Sequence, residues 1–293
     1  MIRSFIILFL TLPASCFSQE SIPDTTFWKN SLRIGFNYNF TNFSDNWTGG
    51  GINSWALNGF ARGQANYQKE KITWVNEMEL RYGRSKNDEQ ETSRKTVDKM
   101  YFDSKLGYGI SDYWNMFASL QFLSQFDEGF RYEDDSRSKI SDFLAPAFIT
   151  SSWGLEYKPV DYFWLRMGPF SPRITVLNDT TLYQTVPENY GVDDGEKIRF
   201  EWLAFQMLAN YDKEIAENIS LSAKYQLFAN YQELAFNKID HRLDMMITAK
   251  LYEFLTMNFG SIFIYDFDQV DEIQSSQLLS VGILFHLGYK EEK

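Results

Sequence analysis

The stretch "SVGILFHLGYK", residues 280–290, places Val281, Ile283, Phe285, Leu287 and Tyr289 at every second position. A period of two is that of a β-strand with one apolar face, and the other face here holds Leu284, His286 and Gly288. The same period recurs back toward the N terminus. Leu32, Ile34, Phe36, Tyr38 and Phe40 oppose Arg33, Gly35, Asn37 and Asn39. Trp55, Leu57, Ala61, Ala65 and Tyr67 share one face of a second run, and Ile72, Trp74, Met78, Leu80 and Tyr82 oppose Glu77, Glu79 and Arg81 in a third. In a fourth, Met100, Phe102, Leu106, Tyr108 and Ile110 oppose Lys99, Asp103 and Lys105. Twelve strands are expected, near 32–40, 53–67, 72–83, 97–110, 113–126, 142–157, 161–174, 197–211, 218–231, 239–251, 254–266 and 277–289. The run "YFWLRMGPF" (162–170) has the least defined phase.

Composition agrees with interleaved strands. The chain of 293 residues has 26 Phe, 17 Tyr and 8 Trp, yet its mean hydropathy is −0.36, so apolar and polar residues alternate instead of forming blocks. Such a chain is too aromatic to be disordered. A net charge of −11 disfavours nucleic acid, whose phosphates require a clustered basic surface.

Residues 1–18, with Arg3, an apolar core from Phe5 to Leu12 and small residues after it, read as a signal peptide. Cys16 offers lipidation as the alternative to cleavage after Ser18, although Leu12 lies four positions before it. Cleavage after Ser18 would leave no cysteine and hence no disulfide framework. Residues 19–30 read as a periplasmic lead-in and 31–290 as the folded domain. Past the leader no apolar run reaches the roughly 18 residues of a membrane helix, so any membrane crossing must be made by strands.

The connections point to such a crossing. "QKEK" (68–71), "SD" (111–112), "KPVD" (158–161), "DKEIAEN" (212–218) and "YEF" (252–254) are short, whereas 41–52, 84–96, 127–141, 175–197, 232–238 and 267–276 are longer. Strict alternation of short and long connections over an even number of strands is the pattern of a transmembrane antiparallel β-barrel, all-β, with short periplasmic turns and longer external loops. Lipid permits no open sheet edge, and closure satisfies the backbone. Tyr67, Trp74, Tyr108, Trp114, Tyr157, Tyr162, Tyr211, Tyr252 and Tyr289 all fall near the short turns and form a candidate interfacial girdle. Residues 280–290 then make the closing strand, and their near-terminal aromatic resembles the C-terminal signal by which outer-membrane proteins are recognised for insertion.

Several segments carry a further resemblance: "NWTGGGINSWAL", "YGRSK", "SRKTVDKMYFDSKLGYG", "SQFDEGFRY", "SDFLAPAF", "ITVLND", "ENYGVDDG", "NISLSAKYQLFANY" and "FIYDFD". In this order, over about 28–268, they resemble a family of Bacteroidota outer-membrane proteins known as domain of unknown function 3078. The resemblance implies a barrel integral to the outer membrane and no assigned activity.

Catalysis is not expected. His241 shares a face with Ile239, Leu243 and Met245 and should point to lipid, while His286 points inward near the periplasmic end; neither holds a base in a cleft. No metal-spaced cluster, nucleophile elbow or phosphate loop is present, so no cofactor is expected. "EDD" (133–135), "DDGE" (193–196) and "DFDQVDE" (266–272) are rich enough in oxygen for a hard cation, but solvated acidic loops are the commoner case, and no metal ligand is assigned.

The inward faces carry the remaining chemistry as a mixed-sign charge network: Glu77, Glu79, Arg81, Lys99, Asp103, Lys105, Arg199, Glu201, Lys224, Asp240, Arg242 and Asp244. Pairs of opposite sign bridge and narrow a lumen. Three classes of function stay open: a passive channel or small-solute transporter first, a structural or partner-binding barrel of an envelope complex second, and an outer-membrane enzyme last. The partners expected are outer-membrane lipids, the barrel-assembly machinery during insertion and, for the second class, an envelope protein.

Overall fold

The computed structural model describes residues 27–288 apart from 45, 47, 134, 135, 187 and 234. The expected signal peptide, Tyr289 and Asp134–Asp135 therefore lie outside the described residues, as does most of the expected lead-in. The strands in chain order are β1 (Trp28–Thr41), β2 (Ser54–Lys69), β3 (Ile72–Asn87), β4 (Arg94–Gly109), β5 (Trp114–Ser124), β6 (Gly129–Tyr132), β7 (Arg137–Ser141) and β8 (Ala147–Val160). They continue as β9 (Phe163–Phe170), β10 (Arg173–Val176), β11 (Ile198–Glu201), β12 (Ala204–Ala216), β13 (Ile219–Asn230), β14 (Asp240–Lys250), β15 (Leu255–Asp266) and β16 (Val270–Gly288).

Twelve of these form one antiparallel ring in the order β1-β2-β3-β4-β5-β8-β9-β12-β13-β14-β15-β16, and β16 returns to pair with β1. The barrel is closed. β10 and β11 are outer continuations of β9 and β12, broken at Ser171–Pro172 and at Trp202–Leu203. Pro172 brings no N–H to the ladder, which accounts for the first break. β6 and β7 form a separate hairpin on the outer end.

Alternation sets which face is outward. Phe36, Leu57, Trp74, Leu106, Met116, Trp153, Ile247, Met257, Ile283 and Phe285 are exposed on the outside of the ring, whereas Glu79, Asp103, Lys105, Glu156 and Arg166 are buried within it. This is the inverse of a soluble fold and suits an apolar solvent. The short turns are tight. At the β12–β13 turn Asn218 takes φ 60°, the left-handed conformation that Asn tolerates best among non-glycine residues.

Three expectations need correction. Residues 127–141 are not only loop, since β6 and β7 lie within them, and the sixth barrel strand begins at Ala147 instead of 142. Residues 267–276 are not a long connection: β16 starts at Val270, so only Phe267, Asp268 and Gln269 turn the chain. "QSSQ" (274–277) is polar on both faces and shows no alternation, yet its backbone pairs with Phe263 and Ile264 because ladder hydrogen bonds do not depend on side-chain polarity. Short and long connections therefore alternate at every position except this one.

Candidate functional site

The lumen is crossed by a bar of ion pairs. Glu77 of β3 contacts Arg62 of β2 at 2.7 Å and Lys224 of β13 at 3.6 Å. Glu79 pairs with its strand neighbour Arg81 and with Lys99 of β4 at 3.4 Å. Lys99 then reaches Asp244 of β14 at 3.3 Å, and Asp244 accepts from Arg242 at 3.1 Å. In the ring β3 stands opposite β13 and β4 opposite β14, so these contacts join facing walls.

A second cluster fills the β4–β9 side. Arg166 of β9 donates to Asp103 at 2.6 Å and to Glu156 of β8 at 3.0 Å, and Lys105 also pairs with Glu156. A neutral chain continues it: Lys224 donates to the Tyr101 hydroxyl (2.9 Å), Gln121 donates to the same oxygen (3.0 Å), Gln206 donates to Gln121 (3.0 Å), and Ser152 donates to Gln206 (2.6 Å). Networks of this kind hold buried charge that would otherwise be prohibitive, although Asp103 Oδ1 has no hydrogen-bond partner among the described residues.

Arg199 and Glu201 stand apart from the bar. They lie on β11 at the outer end, where Arg199 pairs with Asp268 (2.6 Å) and Glu233 (2.8 Å), and Glu201 accepts from Asn230 (3.2 Å). Asp240, at the outer end of β14, pairs with Arg173 of β10 at 2.8 Å. Arg62, Glu156 and Arg166 were absent from the charge network read from sequence. Arg62 has the inward parity of Asn58 on β2, and Glu156 sits opposite Trp153 and Leu155 in phase, so both were recoverable; Arg166 lies in the run of undefined phase.

Part of the lumen stays open. A cavity of about 850 Å³ is lined mostly by β13, β14, β15, β16, β1 and β2, and it extends past the bar to Gln121, Ser124, Phe148 and Thr150 of β5 and β8. Thr248, Thr256 and Leu284 line it at the end of the short turns, and Asp266, Gln269 and Tyr190 line it at the outer end.

A lid covers the outer end. The β10–β11 connection packs Leu177, Leu182, Val186, Tyr190 and Val192 around Ala145. The Tyr190 hydroxyl donates to the Ile140 carbonyl (2.6 Å), and its N–H donates to the Asp268 carbonyl (3.0 Å). Asn189, Tyr190 and Gly191 all have positive φ, 46°, 55° and 73°. Three consecutive left-handed residues store strain of order 1–3 kcal/mol for each non-glycine member. Gly191 is also required sterically, because a Cβ there would meet Arg199 Nη1 at 1.6 Å. Burial pushes the Tyr190 phenol up. At the lid's edge Asp179 pairs with Lys139; burial raises its carboxyl, but hydrogen bonds from Lys139 and Thr181 outweigh that and bring it to about 2.

The expected girdle residues cluster at the short turns. Trp28 lies 5.3 Å from Tyr67 and 5.6 Å from Trp74, Trp114 lies 4.9 Å from Tyr157, and Tyr162 lies 5.7 Å from Tyr211. Tyr108 and Tyr252 are exposed on the same rim. Among the described residues no group of three or more His, Cys, Asp or Glu side chains is placed to hold a metal ion. Of the acidic loops, Asp193 and Asp194 are solvent-exposed, and Asp268 is committed to Arg199. His241 bonds the Tyr225 hydroxyl at 2.6 Å.

A family profile described as a protein of unknown function (DUF3078) matches residues 38–130, a shorter span than the segments quoted above. No curated protein matches the chain significantly. Among solved structures, the COG4313 outer membrane channel from Pseudomonas putida F1 is 8% identical, with 92% of this chain and 100% of that chain covered and a TM-score of 0.41. The translocator domain of the autotransporter NalP from Neisseria meningitidis is 8% identical, with 89% and 88% covered and a TM-score of 0.35. The P. putida toluene transporter TodX is 10% identical, with 92% of each chain covered and a TM-score of 0.31.

Proposed function

We propose that the protein is an integral outer-membrane barrel that passes small solutes along the side cavity, and that the lid and the bar hold it in a closed resting state. The observation that carries this reading is the cavity of about 850 Å³ whose lining residues run from Thr256 at the short-turn end to Gln269 at the outer end. A barrel serving only as a scaffold has no need of such a passage beside its ion-paired half. Residues 1–18 would direct export, the assembly machinery would insert the barrel, and lipid would cover its apolar belt.

The alternative is a partner-binding subunit of an envelope complex. It is favoured by the cross-lumen contacts Glu77–Lys224 and Lys99–Asp244, which stiffen the barrel as a scaffold would require. Single-channel recording in planar bilayers separates the two. Small resolvable steps that grow when Gly191→Val displaces the lid support the conduit. Silence of both forms, each migrating as a folded heat-modifiable barrel, gives the lead to the scaffold.

A further inference from the structure

The ring has a split seam. Pairing between β1 and β16 runs from Ser31↔Gly288 to Asn37↔Gly282 and ends there. Both strands continue outward: β1 stays paired with β2 as far as Thr41↔Ser54, and β16 stays paired with β15 as far as Asp266↔Val270. Among the described residues, the facing edges of Tyr38–Thr41 and of β16 above Gly282 have no ladder partner. Unpaired edges are costly in lipid, where no water replaces the missing bonds. The flanks of this seam are nonetheless apolar, with Phe40 70% and Leu279 63% exposed.

The cavity comes up to both sides of the split, touching Asn37 and Ala56 on one and Leu278 and Ser280 on the other. Its surface there is two-natured. Phe60, Ile262, Ile264, Leu278 and Leu284 give it an apolar strip, while Lys99, Lys224 and Asp244 face it from the bar. Phe60 fits because Gly35 lies beside it: a Cβ at Gly35 would stand 2.2 Å from the Phe60 ring. Deeper on the same inward face of β1 is Arg33, which lines the cavity and makes no ion pair among the described residues. Its cross-strand neighbour is Arg62, itself engaged with Glu77. Like charges directly opposite are unfavourable, and the carboxylates nearest to Arg33, those of Asp212, Glu77 and Glu79, act on it from a distance without a contact pair, so the guanidinium faces the cavity with donors to spare.

We infer that the β1–β16 seam is a lateral portal between membrane and lumen, and that the cavity takes a single-chain anionic amphiphile of the fatty-carboxylate class. The chain lies on the Phe60–Leu278 strip, and the carboxylate reaches Arg33, about 13 Å below Asn37 at ~3.3 Å per residue. The inference rests on the conduit reading of the same cavity but is tested separately from it.

The test uses the full barrel in phosphatidylcholine vesicles with a diazirine-bearing palmitate, and mass spectrometry maps the cross-linked peptides. Labelling of the Phe60 and Leu278 peptides is expected. It should fall at least fivefold in Arg33→Gln, and at least fivefold when Phe40→Cys and Leu279→Cys are joined by a short bis-maleimide after folding, while that joined form keeps the parent's ion conductance. A neutral diazirine-bearing hexadecanol should label the lumen less than the palmitate does, and equally in parent and Arg33→Gln. Labelling confined to outward residues, or lumen labelling unchanged by seam closure, overturns the portal. Equal labelling of parent and Arg33→Gln by palmitate overturns the anionic site. Lumen labelling without ion conductance in any form would remove the passive conduit and leave the portal standing.

Discussion

Lys99 and Asp244 meet at 3.3 Å although their strands, β4 and β14, stand on opposite sides of the ring. Contact between facing walls means that the charged half of the lumen is closed by side chains. The open space that remains lies mostly toward β15, β16, β1 and β2 and reaches β5 and β8 past the bar.

Removing the charges that form the bar should therefore widen the passage. Replacing Glu77, Glu79 and Arg81 together with Ser deletes two anions and one cation, leaving, among the described residues, Arg62 without its carboxylate, Lys224 with only the Tyr101 hydroxyl and Lys99 with only Asp244. Conductance should rise, and the reversal potential in a salt gradient should shift toward anion preference. Unchanged conductance and selectivity would place the current, if any, away from the bar.

The second cluster should be the more important for stability. Arg166 is nearly inaccessible and pairs with Asp103 and Glu156, both equally buried. Arg166→Met leaves Asp103 buried without a cation, a change that costs about 3–5 kcal/mol. Lys158→Met removes only a pair with the exposed Asp161 and should cost about 0–1 kcal/mol. Urea unfolding of the two variants in lipid vesicles measures the difference.

The lid should open with acid. Asp179 titrates at about 2 in the folded state against its usual 3.8. A lowered carboxyl contributes stability above its unfolded value and loses it as pH falls through the folded one, so the window is about pH 4 to 2. Lys139 is shifted the other way, upward, by hydrogen bonds from its ammonium to Asp179 and Asp142. Its contribution is complete below its usual 10.5 and lost only at higher pH. The latch is therefore intact from about pH 4 to 10. Asp179→Asn at neutral pH should show the open-channel frequency that the parent reaches near pH 2.

Orientation is testable on whole cells. A cysteine at Asp194, in the lid connection, should react with an impermeant thiol reagent, and one at Lys158, beside the β8–β9 turn, should not. The reverse pattern would invert the barrel.

The sequence determined the strand count, the outward face of nearly every strand and the gathering of aromatic side chains at one rim, because each is written locally. Alternation of Phe36 with Asn37, or Glu79 with Leu80, needs no partner strand to be read. It also placed Glu77, Lys99 and Asp244 on the inward face. What only the tertiary structure decided is who meets whom: Lys99 with Asp244, 145 residues away, and Glu77 with Lys224, depend on which strands face one another across the closed ring. The pairing of "QSSQ" with β15 and the folding of the β10–β11 connection into a lid over Asp268 were likewise hidden. Backbone pairing and loop packing answer to the space left by distant strands, and the period of a single strand carries no record of that space.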